Sequence, residues 1–193
     1  MPSTCKVIWR GSVGRVSLDL AAYLERIDHP EPTAPDLETL RSLHSAHTAA
    51  IVFENLDIQR GLGIELDIER VQAKLVGERR GGYCFEQNSL FSAVLERLGY
   101  SVTRLCGRVR MGRSTPEVPA RSHMIIRVDL PEGPYLADVG FGAGQLIEPI
   151  ALVPDVMVEQ HGWGYMLVCE GQGLLLRGRH PEGWSDLYQF TLE

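Results

Sequence analysis

The chain has 193 residues, of which 44% are hydrophobic and 23% charged, enough for one large domain or two small ones that share a core. A net charge of −6 with no basic run argues against a nucleic-acid partner, no apolar run approaches the roughly 20 residues of a membrane span, and the N-terminus lacks the apolar core of a signal peptide. The four cysteines (Cys5, Cys84, Cys106 and Cys169) are scattered without a Cys-x-x-Cys pair, which excludes a disulfide framework or a zinc site and suggests a reducing, cytoplasmic location.

Residues 1–16 are mixed, with Gly11 and Gly14, and read as a loosely held arm. From a capping Ser17, the spacing of Leu20, Tyr23, Leu24 and Ile27 predicts a helix that ends at His29-Pro30-Glu31-Pro32. Thr33-Ala34-Pro35-Asp36 has the form of a second helix start, followed by a stripe of Leu37, Leu40, Leu43, Ala46 and Ala50. His44 and His47 lie beside that stripe, but no third ligand is spaced to complete a metal site with them. The segment Ile51–Leu56 reads as extended or irregular, and Ile68, Val71 and Leu75 mark a third helix from Asp67 to about Val76.

Gly81 and Gly82 then free the chain from regular geometry just before Cys84. Cys84, Asn88, Phe91, Leu95 and Leu98 form one helical stripe, with Val94 beside it and Gly99 as the stop. Beyond Gly99 the pattern changes to strands: Val102–Val109, interrupted by Gly107, then an exposed, mobile loop over 110–121, then His123–Leu130. A turn over Pro131-Glu132-Gly133-Pro134 leads to a returning strand, Tyr135–Val139. Tyr165–Cys169, Leu174–Arg177 and Tyr188–Leu192 complete a meander. Trp184, Asp186, Tyr188, Phe190 and Leu192 alternate, so they are expected to share one face. Helices first and antiparallel strands second predict an α+β protein, with a helical bundle over 1–98 and a β-meander or barrel over 99–193. Two lysines (Lys6 and Lys74) against seventeen arginines are the bias of a GC-rich bacterial genome.

Cys84 in the first turn of a helix meets unpaired N–H groups and the positive end of the helix dipole, which favour a thiolate. The plainer reading is a small buried hydrophobe. A cysteine nucleophile needs a base, and the base needs a group that fixes its tautomer. His123 begins a strand directly after a loop, where a side chain is held rigidly yet reaches a pocket. Asp138 stands in an apolar strand, where a carboxylate is costly unless paired. An even-numbered turn puts His123 and Asp138 on one face of the hairpin, opposite or diagonal to each other, and the sequence alone does not select the register. Gly140-Phe141-Gly142-Ala143-Gly144 has no helix start and no βαβ unit around it, so it is not a dinucleotide fingerprint. It reads either as a plain glycine turn or as a loop whose backbone approaches a ligand, with the N–H groups of Gly140 and Gly142 toward a phosphate. Phe141 and Phe53 are candidate pocket walls or core residues.

Arg80-Gly81-Gly82-Tyr83-Cys84-Phe85-Glu86-Gln87-Asn88, with Phe53-Glu54-Asn55-Leu56 upstream, Arg121-Ser122-His123-Met124 and Leu136-Ala137-Asp138-Val139-Gly140-Phe141-Gly142 downstream, closely resembles the arylamine N-acetyltransferases. The resemblance runs from about Leu18 to Leu192. It implies a helical first domain, a β-barrel second domain and a Cys84–His123–Asp138 triad like that of papain-type and transglutaminase-type enzymes. Glu54 and Arg80 match an ion pair that braces the catalytic turn. Phe53 and Phe141 match positions lining the acyl-acceptor pocket. The implied activity is ping-pong transfer of an acetyl group from acetyl-CoA, without a metal, to an aromatic amine or hydrazine. Within the same family the alternative is a macrolactam-forming amide synthase; a thioester or amide hydrolase, or a chain that keeps the fold without useful catalysis, are the others. Val52 stands where a proline is expected. The sequence stops at Glu193, where the family continues into a third, lid-like domain. The strand ending at Leu192 is therefore expected to present an open edge, a route to homo-oligomers.

Overall fold

A computed structural model of the chain describes residues 18–32, 34–111 and 118–193; the expected N-terminal arm, the Ser17 and Thr33 caps and residues 112–117 of the expected mobile loop lie outside the described residues. Aspartates do the capping at both helix starts. The Asp19 carboxylate accepts from the Ala22 N–H ahead of α1 (Leu20–Arg26), and that of Asp36 accepts from the Thr39 N–H ahead of α2 (Leu37–Ala50). The segment expected to be irregular holds a short parallel bridge, Phe53 to Gly82, and then a single turn, α3 (Leu56–Gln59). The third predicted helix is α4 (Ile68–Gln72), which continues as a π-helical turn over Ala73–Gly77. The wider turn lets the adjacent residues Leu75 and Val76 both face the core.

Helix α5 (Cys84–Arg97) packs against α4, β1 and β2. Leu90, Phe91, Val94 and Leu95 are fully buried in its second half. Its end is a Schellman motif: Gly99 adopts a left-handed φ of 95°, its N–H bonds the Glu96 carbonyl, and the Tyr100 N–H reaches back to Leu95.

The strands are β1 (Ser101–Val109), β2 (His123–Leu130), β3 (Gly133–Ala137), β4 (Ile150–Ala151), β5 (Met157–Gln160), β6 (Trp163–Glu170), β7 (Gly173–His180) and β8 (Gly183–Phe190). They form one antiparallel eight-stranded sheet in the order β4-β3-β2-β1-β8-β7-β6-β5, curled into a near-barrel. Its two outer strands are tied by a side chain. The Gln160 amide oxygen on β5 accepts from the N–H groups of Ile147 and Glu148, just before β4, and its NH₂ donates to the Glu148 carbonyl.

Several strand expectations need correction. Gly107 does not interrupt β1; it pairs with His123, and a Cβ there would lie 3.2 Å from the Gln189 carbonyl oxygen of β8. The strand expected to end at Leu192 ends at Phe190 and is no edge, because β8 lies between β1 and β7. The alternation over 184–192 fails for a local reason. Leu176 pairs with Tyr188 while its neighbour Arg177 pairs with Asp186, so Leu187 is an extra residue. That bulge buries the consecutive side chains Leu187 and Tyr188 together. Strands β4 and β5 have no counterpart in the sequence reading.

Two apolar clusters meet across β2. Ile126 and Val128 join the cluster built by Tyr23, Leu40, Leu75 and Phe91, whereas Ile125 joins the barrel interior with Leu105, Leu167 and Leu176. Residues after position 98 therefore close the helical core, and burial on both faces makes β2 the wall the two halves share.

His44 and His47 are fully buried in this shared interior, and all four ring nitrogens meet protein partners. The His47 Nε2–H donates to the Gln87 amide oxygen at 2.8 Å and its Nδ1 accepts from the Tyr23 hydroxyl at 2.8 Å. The His44 Nε2 accepts the Asp138 N–H at 3.1 Å and its Nδ1–H donates to the Ile147 carbonyl at 2.9 Å. Each ring uses one donor and one acceptor, so each is neutral. Burial lowers His44 to about 4 and His47 to about 3. A histidine whose folded pKa is depressed keeps its full contribution above the unfolded value near 6.5 and loses stability as pH falls below it. The loss is about 2 kcal/mol per ring by about pH 5. Denaturant unfolding in this range should show that fall, reduced by one ring's share in His47→Gln; an identical fall in the variant would exclude the assignment.

Candidate active site

The start of α5 is set by close backbone contacts. A Cβ at Gly81 would lie 2.2 Å from the Val52 carbonyl oxygen, and one at Gly82 would lie 3.0 Å from the Glu86 carboxylate and 3.1 Å from the Leu75 side chain. The Gly82 N–H bonds the Val52 carbonyl and the Glu54 N–H bonds the Gly82 carbonyl, so the segments 52–54 and 80–82 run side by side. Cys84 is the first residue of the helix that follows, is 7% exposed, and places its Sγ 3.7 Å from the Ser122 carbonyl oxygen.

His123 opens β2, and Asp138 stands one residue beyond the end of β3. The connecting turn has two residues, Pro131 and Glu132, so Leu130 pairs with Gly133 and Ile126 with Ala137. Continued by one step, that register sets Asp138 diagonal to His123 on the same face. The His123 Nε2 lies 2.7 Å from Asp138 Oδ2, with both side chains almost wholly buried. That leaves Nδ1 as the free ring nitrogen, and the Cys84 thiol lies near enough to the imidazole to favour its charged form. Burial by itself would lower His123; the Asp138 charge and hydrogen bond, together with Cys84, outweigh it and push the imidazole up to about 9. Burial would likewise raise Asp138. The facing His123 and the hydrogen bonds from His123, Asn88 and Gly140 hold it below the usual carboxylate range instead. The structure thus brings together the three residues singled out from the sequence.

Asn88, one helical turn beyond Cys84, joins the segments that carry them. Its amide NH₂ donates to the Met124 carbonyl at 2.8 Å and to Asp138 Oδ1 at 2.9 Å, and its oxygen accepts the Val139 N–H at 3.1 Å. Sequence reasoning placed Asn88 on the Cys84 stripe without giving it a task; a polar residue in an apolar stripe was the available signal. Tyr188, placed by the sequence on the alternating face of the last strand, had no expected part in the site. Its ring, with those of His123 and Phe141, makes a triangle of centroids 4.8–4.9 Å apart, and its hydroxyl is buried. Tyr188 is buried in phase with Phe190, the two pairing with Leu176 and Leu174 of β7.

The glycine loop after Asp138 lies against the cysteine. A Cβ at Gly140 would be 2.9 Å from the Cys84 Cα, and one at Gly142, where φ is 82°, would be 3.0 Å from the Phe53 ring. The N–H groups expected to face a phosphate are occupied within the loop itself: that of Gly140 donates to Asp138 Oδ1 at 3.0 Å and that of Gly142 to the Gln145 amide oxygen at 3.3 Å. Packing and bonding inside the protein therefore account for both glycines. Phe53 is 41% exposed at the rim, while Phe141 is half-buried against His123.

Glu54 and Arg80 meet as expected, at 2.7 Å, but within a larger cluster. Arg80 also bonds Asp57 at 2.8 Å, and Lys74 lies 2.9 Å from Asp57, 2.8 Å from Glu86 and 3.7 Å from Glu54. Among the described residues no group of side chains is arranged to hold a metal ion, and no helix is long and apolar enough to cross a membrane.

This arrangement has close counterparts. A family model described as N-acetyltransferase matches residues 36–193. The arylamine N-acetyltransferase of Escherichia coli strain K12 is 43% identical over 171 residues, covering 88% of this chain and 60% of that protein. The one from Mycolicibacterium smegmatis is 41% identical over 182 residues, 92% of this chain and 66% of that protein. Among solved structures, the arylamine N-acetyltransferase of Salmonella typhimurium has a TM-score of 0.86 at 39% identity, covering 90% of this chain and 63% of that chain. The Mycobacterium marinum enzyme in complex with CoA has a TM-score of 0.86 at 42% identity, covering 91% and 66%. The chain spans 60–66% of the length of these relatives. With the family model over most of its residues and identities near 40%, it belongs to the arylamine N-acetyltransferase family.

Proposed function

We propose that this chain transfers an acetyl group from acetyl-CoA to an arylamine or arylhydrazine through an acetyl-cysteine at Cys84. The observation that carries the reading is the Cys84 thiol at a helix start, within reach of an imidazole whose other nitrogen is 2.7 Å from a buried carboxylate. His123 Nδ1 takes the thiol proton, and Asp138 stabilises the imidazolium. The thiolate attacks the thioester carbonyl, the carbon–sulfur bond to coenzyme A breaks, and coenzyme A leaves with the proton returned by His123. The amine then attacks the acetyl-cysteine, His123 accepts the ammonium proton, and the amide departs as the Cys84 sulfur is released. The backbone N–H of Cys84, at the helix N-terminus, is the oxyanion donor this geometry offers. Phe53 and Phe141 supply ring surface for an aromatic acceptor beside the sulfur. The relative crystallised with CoA supports the donor.

A second reading has a specific motive. The protein named Proansamycin X synthase of Amycolatopsis mediterranei is 35% identical over 179 residues, covering 91% of this chain and 68% of that protein. In that reading the same acyl-cysteine is attacked by an amine of the acyl group's own molecule, closing an amide ring.

Mass spectrometry after incubation with acetyl-CoA should show one acetyl adduct, absent from Cys84→Ala and removed by an aromatic amine. An adduct that survives Cys84→Ala would sink the proposal, and acetyl loss without an amine would point to a hydrolase. Asp138→Asn should lower turnover by about 10³- to 10⁴-fold, the scale on which a triad suffers when its histidine loses its orienting carboxylate. The His123–Asp138 pair also has a pH signature. A histidine raised from 6.5 to about 9 contributes its full stability below 6.5 and loses it as pH rises through about 9. Unfolding free energy should therefore fall by about 3 kcal/mol between these limits, and Asp138→Asn should flatten that limb of the curve.

A further inference from the structure

We infer that Lys74 is a positioning residue for the proposed acyl transfer, neutralising the Glu86 carboxylate so that Cys84 faces the positive end of α5 and not a net negative first turn. The inference rests on Cys84 being the nucleophile. Glu86 lies two residues beyond Cys84 and is almost buried. Its Oε2 accepts the Tyr83 N–H at 3.0 Å, which ties down the helix start and also fixes a negative charge there. A carboxylate suits a helix N-terminus, but it works against a second anion in the same turn. Lys74 answers this directly, with Nζ 2.8 Å from Glu86 Oε1 and 3.1 Å from Oε2.

The position and type of Lys74 fit that task. It sits in the π-helical turn, where the wider spacing turns Leu75 and Val76 to the core and Lys74 to the cluster. Its carbonyl accepts the Arg80 N–H at 3.1 Å, so the residue also fixes the approach to the glycine pair. In a chain with seventeen arginines and only one other lysine, a compact ammonium occupies this point. There its single nitrogen lies 2.8 Å from Glu86, 2.9 Å from Asp57 and 3.7 Å from Glu54. The charged and titratable groups around the turn include Glu54, Asp57, Lys74, Arg80 and Glu86 on one side and His123, Asp138 and the Cys106 thiol on the other. Three carboxylates against two cations leave the first group at one negative charge, and removing Lys74 makes it two.

The test is the pH–rate profile for iodoacetamide alkylation of Cys84, read by peptide mass spectrometry with Cys106 and Cys169 as internal references. Lys74→Met should slow alkylation near neutral pH by roughly 3- to 10-fold and move the profile to higher pH, the size expected for one added charge several ångström away. Lys74→Arg should recover part of the loss. The double variant Lys74→Met/Glu86→Gln should return close to the parent rate, because the glutamine oxygen still accepts the Tyr83 N–H while the charge is gone. An unchanged Lys74→Met profile, or a double variant as slow as the single one, overturns the inference. Should Lys74→Met fail to fold, Glu86→Gln alone decides, since it should react at least as fast as the parent and a slower rate refutes the charge argument. A parent Cys84 no faster than Cys106 and Cys169 would instead refute the nucleophile reading itself.

Discussion

A carboxylate with no exposure to solvent, that of Asp138, is the constraint on which the site depends. An ion taken out of water costs several kcal/mol unless its oxygens are matched, and here each oxygen is. Oδ2 faces the His123 imidazole, while Oδ1 accepts from the Asn88 amide and the Gly140 N–H. These partners come from the start of β2, the first half of α5 and the glycine loop. Satisfying one buried charge thus fixes three segments relative to one another, and Cys84 is carried into place because it lies one helical turn from Asn88. Removing a single partner would leave a buried charge short of a bond, which is why the arrangement is specific and not merely compact.

The start of α5 is held from the other side by different means. Glycines at 81 and 82 allow the chain to touch the backbone at Val52 and the side chains of Glu86 and Leu75, closer than any side chain would permit. The cluster of Glu54, Asp57, Lys74, Arg80 and Glu86 joins α3, the π-helical turn and α5 over the same spot. Backbone contact sets the position of the turn, and paired charges resist its rotation. Both hold the helix start from which Cys84 presents its small side chain.

What was legible in the sequence follows from how local each signal is. The His123–Leu130 strand was read with its observed bounds, because the apolar run and its flanking turn are contiguous, and the Cys84 helix was bounded by a glycine on each side. The His–Asp pairing needed only an even turn, which Pro131-Glu132 supplied. The cap at Asp36 was within the motif named for it. By contrast, the bulge at Leu187 depends on how β8 meets β7, so no period-two reading of residues 184–192 finds it. The two-residue strand β4 has almost no pattern to read. Lys74 and Asp57 join Glu54 and Arg80 only in space, across 23 residues between Asp57 and Arg80. Loop glycines at 140 and 142 carried a true signal of close approach, and among protein atoms the near neighbours are the start of α5 and Phe53.

Three buried histidines show how little of their chemistry burial decides. His44, His47 and His123 are all withdrawn from water, yet the first two are lowered and the third is raised. The difference lies in what each ring faces. His123 meets the carboxylate of Asp138, an acceptor that rewards a second ring proton. His44 meets the backbone N–H of that same residue, a donor that forbids one. The two ends of Asp138 therefore shift two histidines in opposite directions. The lowered ring holds the aspartate's backbone while the raised ring takes its side chain. The ring proposed to gain and lose a proton is in this way mounted on a partner whose own position is held by a ring that does neither.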